Sequence, residues 1–311
     1  MTTTASAGPR EGVVVVGSAN QDLVFAADRI PLPGETLLAR SAARYPGGKG
    51  LNQAVAAARA GAATTFIAAL GRDDAGEQLA ETITTVGIAR ELVRRVDEPT
   101  GQAFIVVNPA GENTIIVASG ANAGMLHLTE ADRTALAAAS VLLLQLELPL
   151  AIVVEAARAA KAAGTTVVLN AAPAQPLPDD LLAALDYLIV NEHEASELGG
   201  SSDLAAASRS LASRVPRLVV TVGAEGSVLF DAGAELARVA AFPVTPVDTT
   251  GAGDTFCGAF ASAIAEGRDF AGAARFASAA AALSVQTEGA VPSIPERDRI
   301  EARLSQAVGQ S

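Results

Sequence analysis

Residues 13–18 read VVVVGS, four consecutive valines running into a glycine and a serine. An unbroken apolar run shows no period-2 alternation, so neither face of the strand it forms is meant for water. Such strands belong to parallel sheets covered on both sides. The glycine and serine mark a loop at the strand's C-terminal end, where α/β proteins bind their ligands. Working outward, GLNQAVAAARAG (50–61) joins strong helix formers to a closing glycine, and TTFIAALG (64–71) returns as a strand. Further strand-like runs follow as VLLLQLE (141–147), TTVVLN (165–170), DYLIVN (186–191) and LVVTVG (218–223), with alanine-rich helical segments between the earlier ones. This alternation predicts an α/β fold: a doubly wound, mostly parallel sheet flanked by helices, forming one domain over residues 1–311.

Two regions break the rhythm. The prolines and short apolar runs of LVFAADRIPLPGETLLARSAARYP (23–46) suit edge strands and turns better than a helix. The region 91–120 contains GQAFIVVNPAGENTIIVASG, two strand-like runs joined by the turn-rich NPAGEN. Together these two insertions predict a small β-sheet that acts as a lid over one end of the large domain.

Composition removes several classes of function. Half of the 311 residues are hydrophobic, yet no run of about 18 consecutive apolar residues occurs, so a membrane span is not expected. The opening MTTTASAGPREG (1–12) is small and polar, without an apolar signal region, and reads as a loose tail of a cytoplasmic protein. A net charge of −12 opposes general attraction to nucleic acid or to an anionic membrane. The absence of tryptophan and an aromatic content of 4% leave base-stacking platforms unsupported. A single cysteine, Cys257, forms no internal disulfide, and with only His127 and His193 beside it no Cys/His metal site is expected. A small anionic ligand, bound locally, remains compatible with all of this.

The chemistry concentrates in FPVTPVDTTGAGDTFCGAF (242–260), where Gly251, Ala252 and Gly253 precede Asp254 and open a helix. Glycines there let backbone N–H groups approach an anion at the positive end of the helix. The same residues also make an ordinary glycine turn with Asp254 as a cap, worth about 1 kcal/mol. By themselves they leave both readings open.

The flanking residues shift the balance toward the anion hole. VDTTGAGDTFCGAF resembles the C-terminal signature of the ribokinase or PfkB family of carbohydrate kinases, and GGKGLNQAVAAARAG (47–61) resembles the family's other signature. Two long motifs, about 200 residues apart and in the expected order, are far more specific than a lone glycine-rich loop. GSANQDLVF (17–25), PLPGET (31–36), QLELP (145–149), NEHEASEL (191–198) and TVGAEG (221–226) extend the resemblance over nearly the whole chain.

The resemblance implies a ribokinase-like fold and an ATP-dependent kinase acting on a sugar hydroxyl, most nearly the 5-hydroxyl of D-ribose. Deoxyribose, another sugar or a nucleoside is the alternative acceptor, and a non-catalytic sugar or nucleotide sensor is the alternative class. In the family pattern Asp254 would be the general base, and the N–H groups of Gly251, Ala252 and Gly253 would form the anion hole. Asn20, Asp22, Gly48, Lys49, Asn52 and Glu147 would hold the sugar. Asn191, Thr221, Gly223, Ala224, Glu225, Gly226, Gly253 and Ser278 would hold ATP. Glu194 would serve Mg²⁺ through water, and Asp248, Thr250, Ser284, Thr287, Gly289 and Ser293 would surround a K⁺. A homodimer paired through the lid is also implied.

Several of these residues have plainer readings. Asn20 and Asp22 favour turns, Glu147 is an ordinary strand-end carboxylate, and Asn191 with Glu194 suits the start of a helix. His193 reads as surface and Cys257 as packed inside its helix. No G-x-G-x-x-G follows the first strand, which argues against a dinucleotide-binding oxidoreductase.

Overall fold

The structure is a computed structural model that describes residues 10–308, so most of the expected N-terminal tail lies outside the described residues. β1 (Val13–Val16) runs into β2 (Asn20–Ala26) and β3 (Ser41–Gly47), and α1 (Lys49–Arg59) leads to β4 (Thr64–Gly71). α2 (Asp74–Thr85) and β5 (Val93–Val96) follow, then β6 (Gly101–Val107) and β7 (Asn113–Ala118). The next part alternates regularly through α3 (Glu130–Ala138), β8 (Val141–Leu144), α4 (Leu150–Ala163), β9 (Thr166–Asn170), α5 (Asp179–Leu182) and β10 (Tyr187–Asn191). α6 (Glu192–Gly199) and α7 (Leu204–Ala212) precede β11 (Arg217–Thr221), β12 (Ser227–Asp231) and β13 (Ala234–Val239). The chain closes with α8 (Ala252–Ala265), α9 (Phe270–Ser284), α10 (Ala290–Ser293) and α11 (Arg297–Val308).

Nine strands form the large sheet in the order β13-β12-β11-β10-β9-β8-β1-β4-β5. From β11 to β5 every pairing is parallel, and only the β12 and β13 edge is antiparallel. The valines of β1 explain why the expectation holds. Val13 and Val15 pack into one core with α1, α8 and α9, while Val14 and Val16 pack into a second core with α3 and α4 on the other face. Both faces are dry, so the strand needs no polar alternation.

A second sheet of four strands, ordered β3-β2-β6-β7, is built from the two irregular regions. Its boundaries differ from the expectation at one point. Val93–Val96, within the stretch 91–120, pairs with β4 at the edge of the large sheet. Val93 packs against the large core there, and Arg94 and Arg95 find ion-pair partners in Asp132 and Glu77. The small sheet also begins earlier than expected, at Asn20. Among the described residues no helix is long and apolar enough to cross a membrane.

The helices α1 and α8 cross closely on the first core face. A Cβ on Gly258 would collide with the carbonyl oxygen of Gln53 and with Cβ of Ala56, so only glycine permits this approach. We expect Gly258→Val to lower stability by about 1–3 kcal/mol through overpacking. Thermal or urea unfolding measures it, and an unchanged midpoint would show that the crossing can relax without cost.

Candidate active site

The chain leaves β1 toward β4 on one side and later returns to β8 on the other, which makes β1 a topological switch point. Loops at the C-terminal ends of such strands diverge and leave a crevice. Residues after β1, β8, β9, β10 and β11 converge on it, and the N-terminus of α8 meets them there.

Asp254 is the third residue of α8 and is buried. The helix is preceded by Gly251, whose φ of 74° is left-handed and which supplies no side-chain cap. Asp254 is therefore not a cap. Its carboxylate accepts from Asn52 Nδ2 at Oδ2 and from Gln53 Nε2 at Oδ1, both at 2.9 Å. The first helical turn leaves donors unused. Ala252 N–H reaches Thr249 O at 3.2 Å, whereas the N–H groups of Gly251, Gly253 and Asp254 have no acceptor among the described residues. Of the three N–H groups expected to form an anion hole, those of Gly251 and Gly253 are unpaired among the described residues, while Ala252 is committed to its own loop.

On the side of the small sheet, Asn20 and Asp22 lie at the start of β2 rather than in a turn, and their extended backbone pairs with β3. Asn20 Oδ1 accepts from Asn122 Nδ2 at 2.8 Å. The Asp22 carboxyl is pushed up from the ordinary 3.8 to about 7, first by burial and then by the charges of Glu147 and Asp254. Gly48 lies against the backbone of Ala19 and Asn20, too close for a side chain. Asn52 Oδ1 is buried with no hydrogen-bond partner among the described residues.

Glu147 is half-buried, not exposed as an ordinary strand-end acid would be. Its Oε2 accepts from Ser18 Oγ at 2.5 Å and from Lys49 N–H at 3.1 Å, so a carboxylate from the β8 loop caps the N-terminus of α1. Lys49 is held above its ordinary value, chiefly by Asp254, with Glu147 and Glu194 adding to the effect against the opposing cost of burial.

Two cavities meet at Gly253. One, of about 210 Å³, is polar and lined by Lys49, Asn191, Glu194, Asp254 and Cys257 among others. The second, of about 370 Å³, is mostly apolar and lined by the expected Thr221, Gly223, Ala224, Gly226, Gly253 and Ser278. Glu225 lines neither cavity. The apolar wall comes from Phe242, Val244, Pro246, Ala281 and Val285, none of which was expected among the site residues. Asn191 and Glu194 form a reciprocal capping box at the start of α6, each side chain bonded to the other's N–H at 2.8 Å. The plain helix-start reading is therefore realised, and the same residues also face the polar cavity. Burial raises the Glu194 carboxyl above its ordinary value, against the lowering from the Asn191 N–H and Lys49. Burial also pushes the Cys257 thiol well up, which suits an inert packed residue.

The residues expected around a monovalent cation are partly brought together. Asp248 Oδ1 accepts from Thr250 N–H at 2.9 Å and Oδ2 from Gly289 N–H at 2.8 Å, which ties the loop before α8 to the loop after α9. Burial opposes the charge on Asp248, but these bonds from Thr250 and Gly289 hold its carboxyl below the ordinary value. Thr287 N–H bonds to Ser284 O at 3.3 Å within the second loop. Ser293 Oγ donates to Ala290 O and has no hydrogen bond to the others. His193 is exposed beside Glu197. The residues that sequence reasoning missed, Ser18, Gln53, Asn122, Gln145 and Asn170, are amides and a hydroxyl whose partners lie far away in the chain.

Comparison with known proteins agrees with this geometry. Residues 10–297 match the model of the pfkB family carbohydrate kinases. The chain is 41% identical over 296 residues to the ribokinase of Haemophilus influenzae, covering 93% of this chain and 96% of that one. It is 38% identical over 298 residues to the ribokinase of Bacillus subtilis, covering 94% and 99%. Among solved structures, the Arabidopsis thaliana ribokinase complexed with ribose and ATP superposes with a TM-score of 0.89 at 38% identity, covering 95% of this chain and 99% of that one. With both signatures meeting at one crevice and this likeness running the length of the chain, the protein belongs to the pfkB family of carbohydrate kinases.

Proposed function

We propose that this chain is an ATP-dependent ribokinase, transferring the γ-phosphoryl group of ATP to the 5-hydroxyl of D-ribose to give ribose 5-phosphate and ADP. The observation that carries the reading is the polar cavity where the Asp254 carboxylate adjoins the unused N–H groups of Gly253 and Asp254, beside an apolar slot. The adenine would occupy the slot, and the phosphates would cross Gly253 into the polar cavity. Ribose would lie between β2, Gly48 and Asn52, its hydroxyls held by Asn20, Asp22, Lys49 and Glu147.

A carboxylate is a weak base, but phosphoryl transfer passes through a loose transition state in which the attacking hydroxyl loses its proton late. Asp254 then needs mainly to orient that hydroxyl and receive its proton. The free N–H groups of the first α8 turn stabilise charge on the transferred group, and Lys49 adds a fixed positive charge. Mg²⁺ would be carried on the ATP phosphates and water and would neutralise the triphosphate, with Glu194 and Asn191 reaching it through water. The Asp248 loop, rich in carbonyl and hydroxyl oxygens with one carboxylate, suits a weakly held K⁺.

The small sheet would serve as a lid on this single kinase domain and as the contact of a homodimer. Ile115 and Ile116, neighbours on opposite faces of β7, are 51% and 66% exposed, an arrangement left for a partner. A cytoplasmic location would suit an enzyme that consumes ATP.

Asp254→Asn should lower kcat by about two to four orders of magnitude while the fold melts normally. ATP consumption with ribose, deoxyribose, fructose and nucleosides, each with and without K⁺, checks the acceptor and the cation. Preference for a nucleoside would overturn the ribose assignment, and indifference to K⁺ would remove the cation site. Ribose affinity should weaken as pH falls below about 7, because Asp22 must be ionised to accept the sugar's hydroxyls. Asp22→Asn should bind more weakly at all pH values and flatten that profile. For stability the sign is opposite: the raised Asp22 value costs the folded state stability as pH rises from about 4 to about 7. Finally, Ile116→Asp should shift a dimer to monomer in sedimentation, and a protein monomeric from the start would rule out the lid contact.

A further inference from the structure

Gln53 lies in the middle of α1, fully buried, and lines neither cavity. A buried amide is costly unless both its ends are bonded, and here both are. Asn170 Nδ2 donates to the backbone carbonyl of Ile189 at 3.3 Å, a group that only accepts, so Asn170 Oδ1 must face Gln53. Gln53 meets it with Nε2 at 3.0 Å and directs the same nitrogen to Asp254 Oδ1 at 2.9 Å. Its Oε1 then faces Gln145, which donates Nε2 at 2.7 Å. Turning Gln53 over would set oxygen against oxygen at Asn170 and at Asp254, and nitrogen against nitrogen at Gln145. The hydrogen-bond direction is fixed from a β10 carbonyl through to the carboxylate.

We propose that Gln53 is a positioning residue for phosphoryl transfer. Its amide, locked by Gln145 and Asn170, fixes one oxygen of Asp254 while Asn52 fixes the other, so the carboxylate is held in one plane and one rotamer before the sugar arrives. The inference rests on Asp254 being the base. Gln53 lines neither cavity, so its loss would act through Asp254.

The test uses Gln53→Met, which keeps the length of the side chain and removes the donor. We expect kcat to fall by about 10- to 100-fold, as for a small misplacement of a reacting group. Calorimetric dissociation constants for ribose and for ATP should stay within about threefold of the parent. Gln145→Met, which leaves the donor but unlocks it, should lower kcat by a smaller factor and add almost nothing in the Gln53→Met background, since both act through one bond. That variant also serves if Gln53→Met fails to fold. A kcat within threefold of the parent in both variants would overturn the proposal while Asp254→Asn remains crippled. A loss of ribose affinity equal to the loss of kcat, or independent effects of the two substitutions, would overturn it too. Normal turnover by Asp254→Asn would instead sink the base assignment on which it stands.

Discussion

The active site depends on how closely α1 approaches α8. Gly258 removes the side chain that would hold the helices apart, and Asn52 and Gln53 on α1 then come within 2.9 Å of Asp254 on α8. These partners lie 202 and 201 residues apart in sequence. Each of the two signatures carries half of one constellation: the first brings the amides, the second the carboxylate and the free N–H groups. A helix packing distance is thereby converted into the orientation of a buried carboxylate.

The same crossing arranges the electrostatics. Asp22, Glu147, Glu194 and Asp254 surround the crevice, with Lys49 as the cation that all but Asp22 act upon. Four acids in so small a volume would be unfavourable without compensation. Two helix N-termini supply it: α1 takes the Glu147 carboxylate on its first N–H, and α8 turns toward the crevice a first turn whose Gly251, Gly253 and Asp254 N–H groups are unpaired among the described residues. The Asp22 carboxyl accepts no hydrogen bond among the described residues, and burial among like charges lifts it to about 7.

Much of this was legible in the sequence because it depends on local chemistry. The valines of β1, the strand ends at 170 and 191, the glycine before α8 and the hairpin around NPAGEN each follow from what their own residues allow. Other features were not legible. VRRV at 93–96 is too short to show a period and could edge either sheet, and only its pairing with β4 decides which. The apolar slot takes its walls from Phe242, Val244, Ala281 and Val285, each an ordinary core residue in sequence.

Asp254 marks the boundary between the two kinds of information. The sequence by itself determined the fold class, the family and the presence of a glycine-opened helix carrying an acid, because backbone conformation and apolar pattern are properties of short segments. Whether that acid caps its helix or faces a crevice was decided only by tertiary structure. The deciding donors come from Asn52 and Gln53, and an amide two hundred residues away leaves no local trace until packing brings it within hydrogen-bond distance.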